Sequence, residues 1–204
     1  MVLGVDFDNT IVRYDELFHR VAVEQGLIPG YVPVRKNDVR DYLRNQNREN
    51  EWTELQGYVY GPRMAGAQPF PGVLEFFAHA AHKRLPLHII SHKTRRAVLG
   101  PAYDLQKTAL EWLGAQGFFD PRRAAMSPQR VHFGETRPEK VRFIRETGCT
   151  HFIDDLEETF LEPDFPKHVV QILFGRHEAP RELPAAKALA DWSQVHRYVF
   201  DAAR

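Results

Sequence analysis

The sequence has little cysteine, no excess charge of either sign and no long apolar run, and each absence excludes a class of protein. Cys149 is the only cysteine among 204 residues, which leaves no internal disulfide and no cysteine-based zinc site. A single thiol suits a reducing cytosol, so we expect a cytoplasmic protein. The 27 basic and 27 acidic side chains cancel, so no overall field favours nucleic acid or an anionic membrane.

Other familiar signals are also missing. The first residues lack the basic region and apolar stretch of a signal peptide, and no run has the length of a membrane-spanning helix. The glycine patterns of P-loop and dinucleotide sites are absent, as is the paired-histidine motif of zinc proteases. What is present is a globular composition with 43% hydrophobic and 12% aromatic residues, enough for one domain or for one domain with an insertion.

Apolar runs predict the buried strands of a parallel sheet. They are continuous rather than alternating, which is typical of strands covered on both faces. The runs cover residues 2–5, 85–90, 150–153 and 168–174, with 131–133 as a short fifth candidate. Helical patterns at 73–81, 105–116, 137–147 and near the C-terminus separate or follow them. We therefore expect an α/β fold with a Rossmann-like, mostly parallel sheet and helices on both faces.

Residues 12–68 interrupt this alternation. They show helical patterns at 15–25, 38–48 and 51–60, followed by a connector rich in glycine and proline at 61–72. We expect an α/β core formed by 1–11 and 69–204, with a small helical cap at 12–68 inserted after the first strand. We expect this cap to lie over the carboxyl edge of the sheet, where open α/β sheets bind ligands. A cap in that position would select the substrate. Its candidate contacts, which packing could also explain, are Tyr14, His19, Arg44, Trp52, Tyr58, Tyr60 and Arg63.

Polar residues stand where the predicted strands end. The segment Asp6-Phe7-Asp8-Asn9-Thr10 follows the first strand, and its two carboxylates can face one ligand. Ser91 ends the second strand within a stretch that carries lysine and arginine but no acid from residue 76 to residue 103. Each signal has an ordinary alternative, since such residues also cap helices and form turns. A basic stretch at a strand end suits an anionic substrate, although a solvated helix face would have the same composition.

Two further signals come later in the chain. Lys140 lies in the first turn of a predicted helix, where a cation opposes the helix dipole unless it reaches an anion. Asp154 and Asp155 are adjacent at the end of a predicted strand, and their mutual repulsion calls for a nearby cation such as Lys140 or a metal ion. A helix-capping aspartate is the alternative for this pair.

Taken in order, Asp-x-Asp-x-Thr, Ser, Lys and Asp-Asp resemble the four motifs of the haloacid dehalogenase superfamily. The resemblance covers residues 2 to 155, and the insertion is similar to the helical type-1 cap of that superfamily. It implies that Asp6 is a nucleophile forming an aspartyl-phosphate and that Asp8 is the general acid and base. The second aspartate, at Asp8, is the pattern of phosphatases and phosphomutases.

The resemblance also implies roles for the other residues. Thr10, Ser91 and Lys140 would bind the phosphate of the substrate, and Thr10 would also help fix the turn that holds Asp8. Asp6, the backbone carbonyl of Asp8, and Asp154 would bind Mg²⁺, with Asp155 acting directly or through water. The expected substrate is a small phosphorylated metabolite, either a sugar phosphate or a nucleotide.

Three alternatives to a phosphatase use related chemistry. A sugar phosphomutase has the same core residues. A phosphate-binding or regulatory protein of the same fold without turnover would be expected to have lost a motif residue, and none is lost here. A phospho-accepting signalling domain places its acidic pair first and its lone acceptor aspartate later, whereas Asp154 and Asp155 come last in this chain.

Overall fold

The computed structural model describes residues 1–201, which form eight strands and eight α-helices. The strands are β1 (Leu3–Val5), β2 (Val12–Arg13), β3 (Gln68–Pro69), β4 (Leu87–His92), β5 (Val131–Gly134), β6 (His151–Asp154), β7 (Val170–Phe174) and β8 (Lys187–Leu189). The helices are α1 (Asp15–Glu24), α2 (Lys36–Arg44), α3 (Glu49–Tyr60), α4 (Val73–His82), α5 (Leu105–Gln116), α6 (Arg137–Glu146), α7 (Glu157–Phe160) and α8 (Trp192–Phe200). Short 3₁₀ turns lie at Met64–Gly66 and Pro128–Arg130.

Six strands form a parallel sheet in the order β5-β4-β1-β6-β7-β8. The chain enters at β1, continues outward through β4 and β5, and then crosses to the other side of β1 at β6. This reversal makes the carboxyl end of β1 the switch point at which open α/β sheets bind ligands. Val5 is paired with Ile89 on one side and with Ile153 on the other, so the residues that follow these strands lie side by side.

Helices cover both faces of the sheet, as the sequence predicts. Successive residues of a strand point to opposite faces, and Leu173 and Phe174 of β7 enter different layers. Leu173 packs in a buried cluster with Val141 and Ile144 of α6. The Phe174 ring lies 5.5 Å from that of Trp192 at the start of α8. The α/β class is therefore confirmed.

Helix α6 begins with a capping arrangement that places Lys140. The Thr136 side chain accepts a hydrogen bond from the Glu139 amide at 3.3 Å, and the Glu139 carboxylate accepts one from the Glu135 amide at 2.7 Å. The first bond satisfies an amide group that the first helical turn leaves without a partner, and the second ties the residue before the N-cap to the same turn. Lys140, one residue after Glu139, is only 2% exposed to solvent.

The described chain divides into two compact units. One contains Met1–Ile11, Pro69–Lys93 and the chain from Leu113 onward, and the other contains Val12–Gln68 and Thr94–Trp112. The sequence assigned Thr94–Trp112 to the predicted core, whereas in the structure this segment belongs to the second compact unit. The core of 1–11 and 69–204 and the cap of 12–68 stay predictions. The Trp112 indole donates a hydrogen bond to the Ala67 carbonyl at 3.1 Å, and the Tyr58 and Tyr103 rings are 6.4 Å apart. These contacts link positions too distant along the chain for a local pattern to reveal.

Other element boundaries also differ from the sequence predictions. Strand β4 starts two residues later than expected and includes Ser91, and helix α2 ends at Arg44 rather than at residue 48. The edge strand β8 was not predicted, because Lys187–Leu189 is too short to form a recognisable apolar run. Among residues 1–201, no helix has both the length and the apolar character needed to cross a membrane.

Candidate active site

The polar residues predicted from four separate segments lie together at the carboxyl edge of the sheet. Asp6 follows β1, Ser91 lies near the end of β4 and Asp154 is the last residue of β6. The Asp6 amide donates a hydrogen bond to the Ile153 carbonyl at 2.8 Å, which continues the β1–β6 pairing by one residue. The parallel register thus brings Asp6 next to Ser91, which is 85 residues away in sequence.

Asp6 is at the centre of a buried hydrogen-bond network. Its Oδ1 accepts hydrogen bonds from Ser91 Oγ at 2.9 Å and from Lys140 Nζ at 2.6 Å. The same ammonium group donates to Asp154 Oδ2 at 2.6 Å. Asp6, Lys140 and Asp154 are only 4%, 2% and 0% exposed. A single cation is therefore shared by two buried carboxylates.

The pKa values of Asp6 and Lys140 depend on burial and on the contact of Lys140 with two carboxylates. Burial raises the pKa of Asp6 to about 7, since the attraction of Lys140 only partly offsets desolvation and Asp154 adds repulsion. Burial alone would lower the pKa of Lys140, but the charges and hydrogen bonds of Asp154 and Asp6 outweigh it and raise that pKa above its ordinary value. The lysine therefore stays charged, and the site holds more negative than positive charge whenever both carboxylates are ionised.

Oxygen ligands for a cation are gathered at the same place. Asp6, Asp154 and Asp155 each present a carboxylate oxygen, and these oxygens lie within 4.8 Å of one another. A few carboxylate oxygens, completed by water and substrate phosphate, are the ligands that Mg²⁺ takes in enzymes. The donor set fits Mg²⁺ for this reason, and it includes Asp155, whose binding to the ion, directly or through water, stays a prediction.

Thr10 lies beside this acidic group. It is fully buried, and its Oγ1 is 3.5 Å from Asp155 Oδ1, to which it donates. Its backbone carbonyl accepts a hydrogen bond from the Trp192 indole at 3.0 Å. Asn9, just before it, has φ of 59°, a left-handed conformation that asparagine tolerates better than most residues. The described contacts of Thr10 therefore fix the turn after β1, and its predicted contact with phosphate stays a prediction.

Asp8 has a partner that sequence reasoning did not assign to the site. Both of its carboxylate oxygens accept hydrogen bonds from Lys93 Nζ, at 3.0 and 2.9 Å. Lys93 is 4% exposed. The sequence did show Lys93 within the basic stretch, two residues after Ser91, but nothing in that pattern indicated a contact with Asp8.

The seven residues suggested as substrate contacts belong to the second unit and have varied surroundings there. Tyr14 and Trp52 are buried, at 1% and 2% exposure, and each packs against the Phe18 ring. The side chains of Arg44 and Arg63 pair with Glu49 and Glu24. Packing thus accounts for the two aromatic residues, while contact of any of the seven with substrate stays a prediction. The other three residues suggested as substrate contacts are His19, Tyr58 and Tyr60.

Comparisons with known proteins define the fold. No protein-family model matches the sequence, and a search of curated proteins also finds no match. A HAD family hydrolase from Deinococcus radiodurans R1, solved with bound phosphate and sodium, has a TM-score of 0.63 at 15% identity, covering 99% of this chain and 96% of the other. A predicted phosphoglycolate phosphatase from Haemophilus somnus 129pt has a TM-score of 0.60 at 13% identity, with 97% of both chains covered.

A third solved structure agrees with these two. A phosphoserine phosphohydrolase-like protein from Francisella tularensis has a TM-score of 0.56 at 10% identity, covering 98% of this chain and 99% of the other. Together the sheet order and the acidic carboxyl edge define a Rossmann-like α/β protein with its candidate site at the switch point. More particularly, the fold is similar to that of solved structures described as HAD-superfamily hydrolases, which confirms the fold implied by the four motifs.

Proposed function

We propose that the protein is a Mg²⁺-dependent phosphatase that hydrolyses a small phosphomonoester through an aspartyl-phosphate on Asp6. The observation that carries this proposal is the position of Asp6, which is hydrogen-bonded to Ser91 and Lys140 and lies within reach of two further carboxylates. The groups proposed as nucleophile, as donors to the phosphoryl oxygens and as cation ligands are therefore close to one another, which supports the proposal.

The first half-reaction transfers the phosphoryl group to the enzyme. A carboxylate oxygen of Asp6 attacks phosphorus while the bond from phosphorus to the ester oxygen breaks. The protonated Asp8 carboxyl group gives its proton to the departing oxygen, so the leaving group is a neutral alcohol. Ser91 and Lys140 donate hydrogen bonds to the phosphoryl oxygens and stabilise the charge that they carry in the transition state.

The second half-reaction regenerates the enzyme. The Asp8 carboxylate accepts a proton from a water molecule as the water oxygen attacks phosphorus. The bond between phosphorus and the Asp6 oxygen then breaks, which releases inorganic phosphate and returns Asp6 as a carboxylate and Asp8 as an acid. Asp6, Asp154 and Asp155, with the Asp8 carbonyl, would hold Mg²⁺, which would supply positive charge to offset the negative charge of the phosphate and the surrounding carboxylates.

The second unit supplies the proposed selectivity. We assign its segment 12–68 the part of a helical cap and its polar and aromatic residues the recognition of the organic part of the substrate. The substrate class that fits the core site is a small phosphorylated metabolite such as a sugar phosphate or a nucleotide, because the core site gathers donors for a phosphate beside a cluster of cation ligands.

A phosphate-release assay on a panel of phosphorylated metabolites tests the proposal. We expect release that requires Mg²⁺, stops on chelation, and falls by at least about 10³-fold in Asp6→Asn, which lacks the nucleophile. The matched control is Asp164→Asn, since Asp164 is an exposed carboxylate outside the site. Equal release by the wild type and Asp6→Asn would overturn the role of Asp6, and phosphoryl transfer to a second sugar without phosphate release would indicate the phosphomutase instead.

A further inference from the structure

The ion pair between Lys93 and Asp8 has an uneven exposure. The Lys93 side chain is 3% exposed, whereas the Asp8 side chain is 20% exposed. A substrate can therefore reach the carboxyl group of Asp8 but meets little of the lysine behind it. Any influence of Lys93 on the reaction is expected to act through Asp8 rather than through direct contact with the substrate.

Several contacts hold the lysine in place. Its amide donates a hydrogen bond to the Gly134 carbonyl at 2.8 Å, which continues the pairing between β4 and β5. Its Nζ lies 5.4 Å from the centre of the Phe7 ring and within 3.0 Å of both Asp8 oxygens. Because backbone and side chain are both fixed, the ammonium group provides a defined position to which the carboxyl group can be oriented.

Stability alone is a weak reason for such a pair. Burying an ammonium group and partly burying a carboxylate is costly, and well-packed apolar residues often serve the fold as well or better. The pair involves the residue to which the proposed mechanism assigns both proton transfers. A carboxyl group that must donate to one oxygen and accept from another benefits from a fixed orientation, because proton transfer requires hydrogen-bond geometry.

We propose that Lys93 is a positioning residue that orients the Asp8 carboxyl group for its two proton transfers. This inference rests on the proposed phosphatase function. Lys93 itself gives up no proton and forms no bond with the substrate. Contacts to both Asp8 oxygens restrict rotation of the carboxyl group, so that it faces the ester oxygen in the first half-reaction and water in the second.

A double-mutant cycle tests the proposal with p-nitrophenyl phosphate as the probe. The four proteins are wild type, Lys93→Met, Asp8→Asn and the double variant, and kcat and KM are measured for each. We expect Lys93→Met to lower kcat by roughly 10- to 100-fold with KM changed by less than about threefold, since orientation and not binding is lost. In the Asp8→Asn background the same change is expected to lower kcat by less than about threefold, because no acid remains to be positioned.

Two further variants separate positioning from a structural role. Lys93→Arg keeps a cation and two donors, so we expect it to recover part of the lost kcat, whereas Lys83→Met removes an exposed lysine and is the control. Circular dichroism and thermal unfolding check that each variant folds. If Lys93→Met does not fold, Lys93→Gln, which keeps one donor for Asp8, takes its place in the cycle.

The outcomes distinguish the two proposals. Equal losses of kcat in both backgrounds, or a raised KM with unchanged kcat, would show that Lys93 does not act through Asp8, while the phosphatase assignment would stand. Absence of phosphate release by the wild type on any substrate would overturn the phosphatase assignment and this inference with it.

Discussion

Lys140 is the residue on which the buried charges of the site depend. It contacts Asp6 and Asp154 at 2.6 Å each, and all three side chains are 5% exposed or less. A buried carboxylate without a partner is far more costly than one that is paired. The lysine therefore has a structural task in addition to its proposed contact with phosphate.

Replacing Lys140 by methionine is expected to lower the free energy of unfolding by roughly 3 kcal/mol in the absence of divalent cations, because two carboxylates lose their common cation. Urea unfolding monitored by circular dichroism measures the change. The control Lys107→Met removes a lysine that is 73% exposed and is expected to cost less than about 0.5 kcal/mol. Equal effects of the two substitutions would contradict this account of the buried charges.

Between the strands β4 and β5, two histidines form a partly buried pair. His88 Nδ1 and His132 Nε2 are 3.2 Å apart, and the ring centres are 5.4 Å apart. Burial first, and then the charges of His132 and Arg130, lower the pKa of His88 from 6.5 to about 4. His88 is therefore harder to protonate in the folded state than in the unfolded chain. The unfolded chain binds more protons between about pH 4 and pH 6.5.

The His88 pair predicts a loss of stability as the pH falls from about 6.5 to about 4. The loss is expected to reach about 1–2 kcal/mol after allowance for partial solvent screening. In His88→Gln, which cannot be protonated in this range, the decline over the same interval should be smaller by that amount. Urea unfolding of both proteins at about pH 7 and about pH 4 measures it, and identical declines would show that His88 is not responsible.

Strand β1 lies at the centre of the sheet and tolerates little change. A Cβ atom at Gly4 would come within 2.5 Å of the Phe152 ring and 2.8 Å of Cys149 Sγ. We expect Gly4→Ala to lower the free energy of unfolding by about 1–3 kcal/mol through overpacking. Gly30→Ala is the control, since no atom lies within 4 Å of the added carbon. Thermal unfolding measures both, and equal melting temperatures would contradict the close packing of β1 on β6.

For the whole molecule, the sequence predicted the parallel sheet, whereas the division into a core and a cap stays a prediction. Continuous apolar runs predicted the central strands, since strands buried on both faces need no polar alternation. The order of the motifs predicted that Asp6, Ser91, Lys140 and Asp154 would meet, because parallel strands end at one edge. The structure brings these four residues together, while their catalytic roles stay predictions.

What the sequence did not predict depends on tertiary contacts. The pairing of Lys93 with Asp8 joins residues 85 positions apart, and a single lysine in a basic stretch gives no indication of its partner. The association of Thr94–Trp112 with the second unit depends on contacts such as that of Trp112 with Ala67. Strand β8 is only three residues long, so pairing with β7 rather than its own composition defines it.

The whole molecule is expected to gain stability from Mg²⁺ without needing it to fold. A cation that binds only the folded state stabilises it by about 2.7 kcal/mol at a hundred times its dissociation constant. Lys140 already compensates part of the buried negative charge, so chelation should leave the circular dichroism spectrum unchanged. It should lower the melting temperature only by the amount that corresponds to the lost free energy of Mg²⁺ binding. A matching increment in Asp154→Asn, or unfolding on chelation, would contradict this expectation.

The central claim is that Asp6 becomes phosphorylated, and trapping the intermediate tests it most directly. The wild type is mixed with p-nitrophenyl phosphate and Mg²⁺, quenched within one turnover and treated with borohydride, which reduces an aspartyl-phosphate to homoserine. Peptide mass spectrometry is expected to find homoserine at position 6, and Asp6→Asn is expected to show no reduction there. Phosphate release by the wild type without any modification of Asp6, or with the phosphoryl group trapped on another residue, would contradict the account.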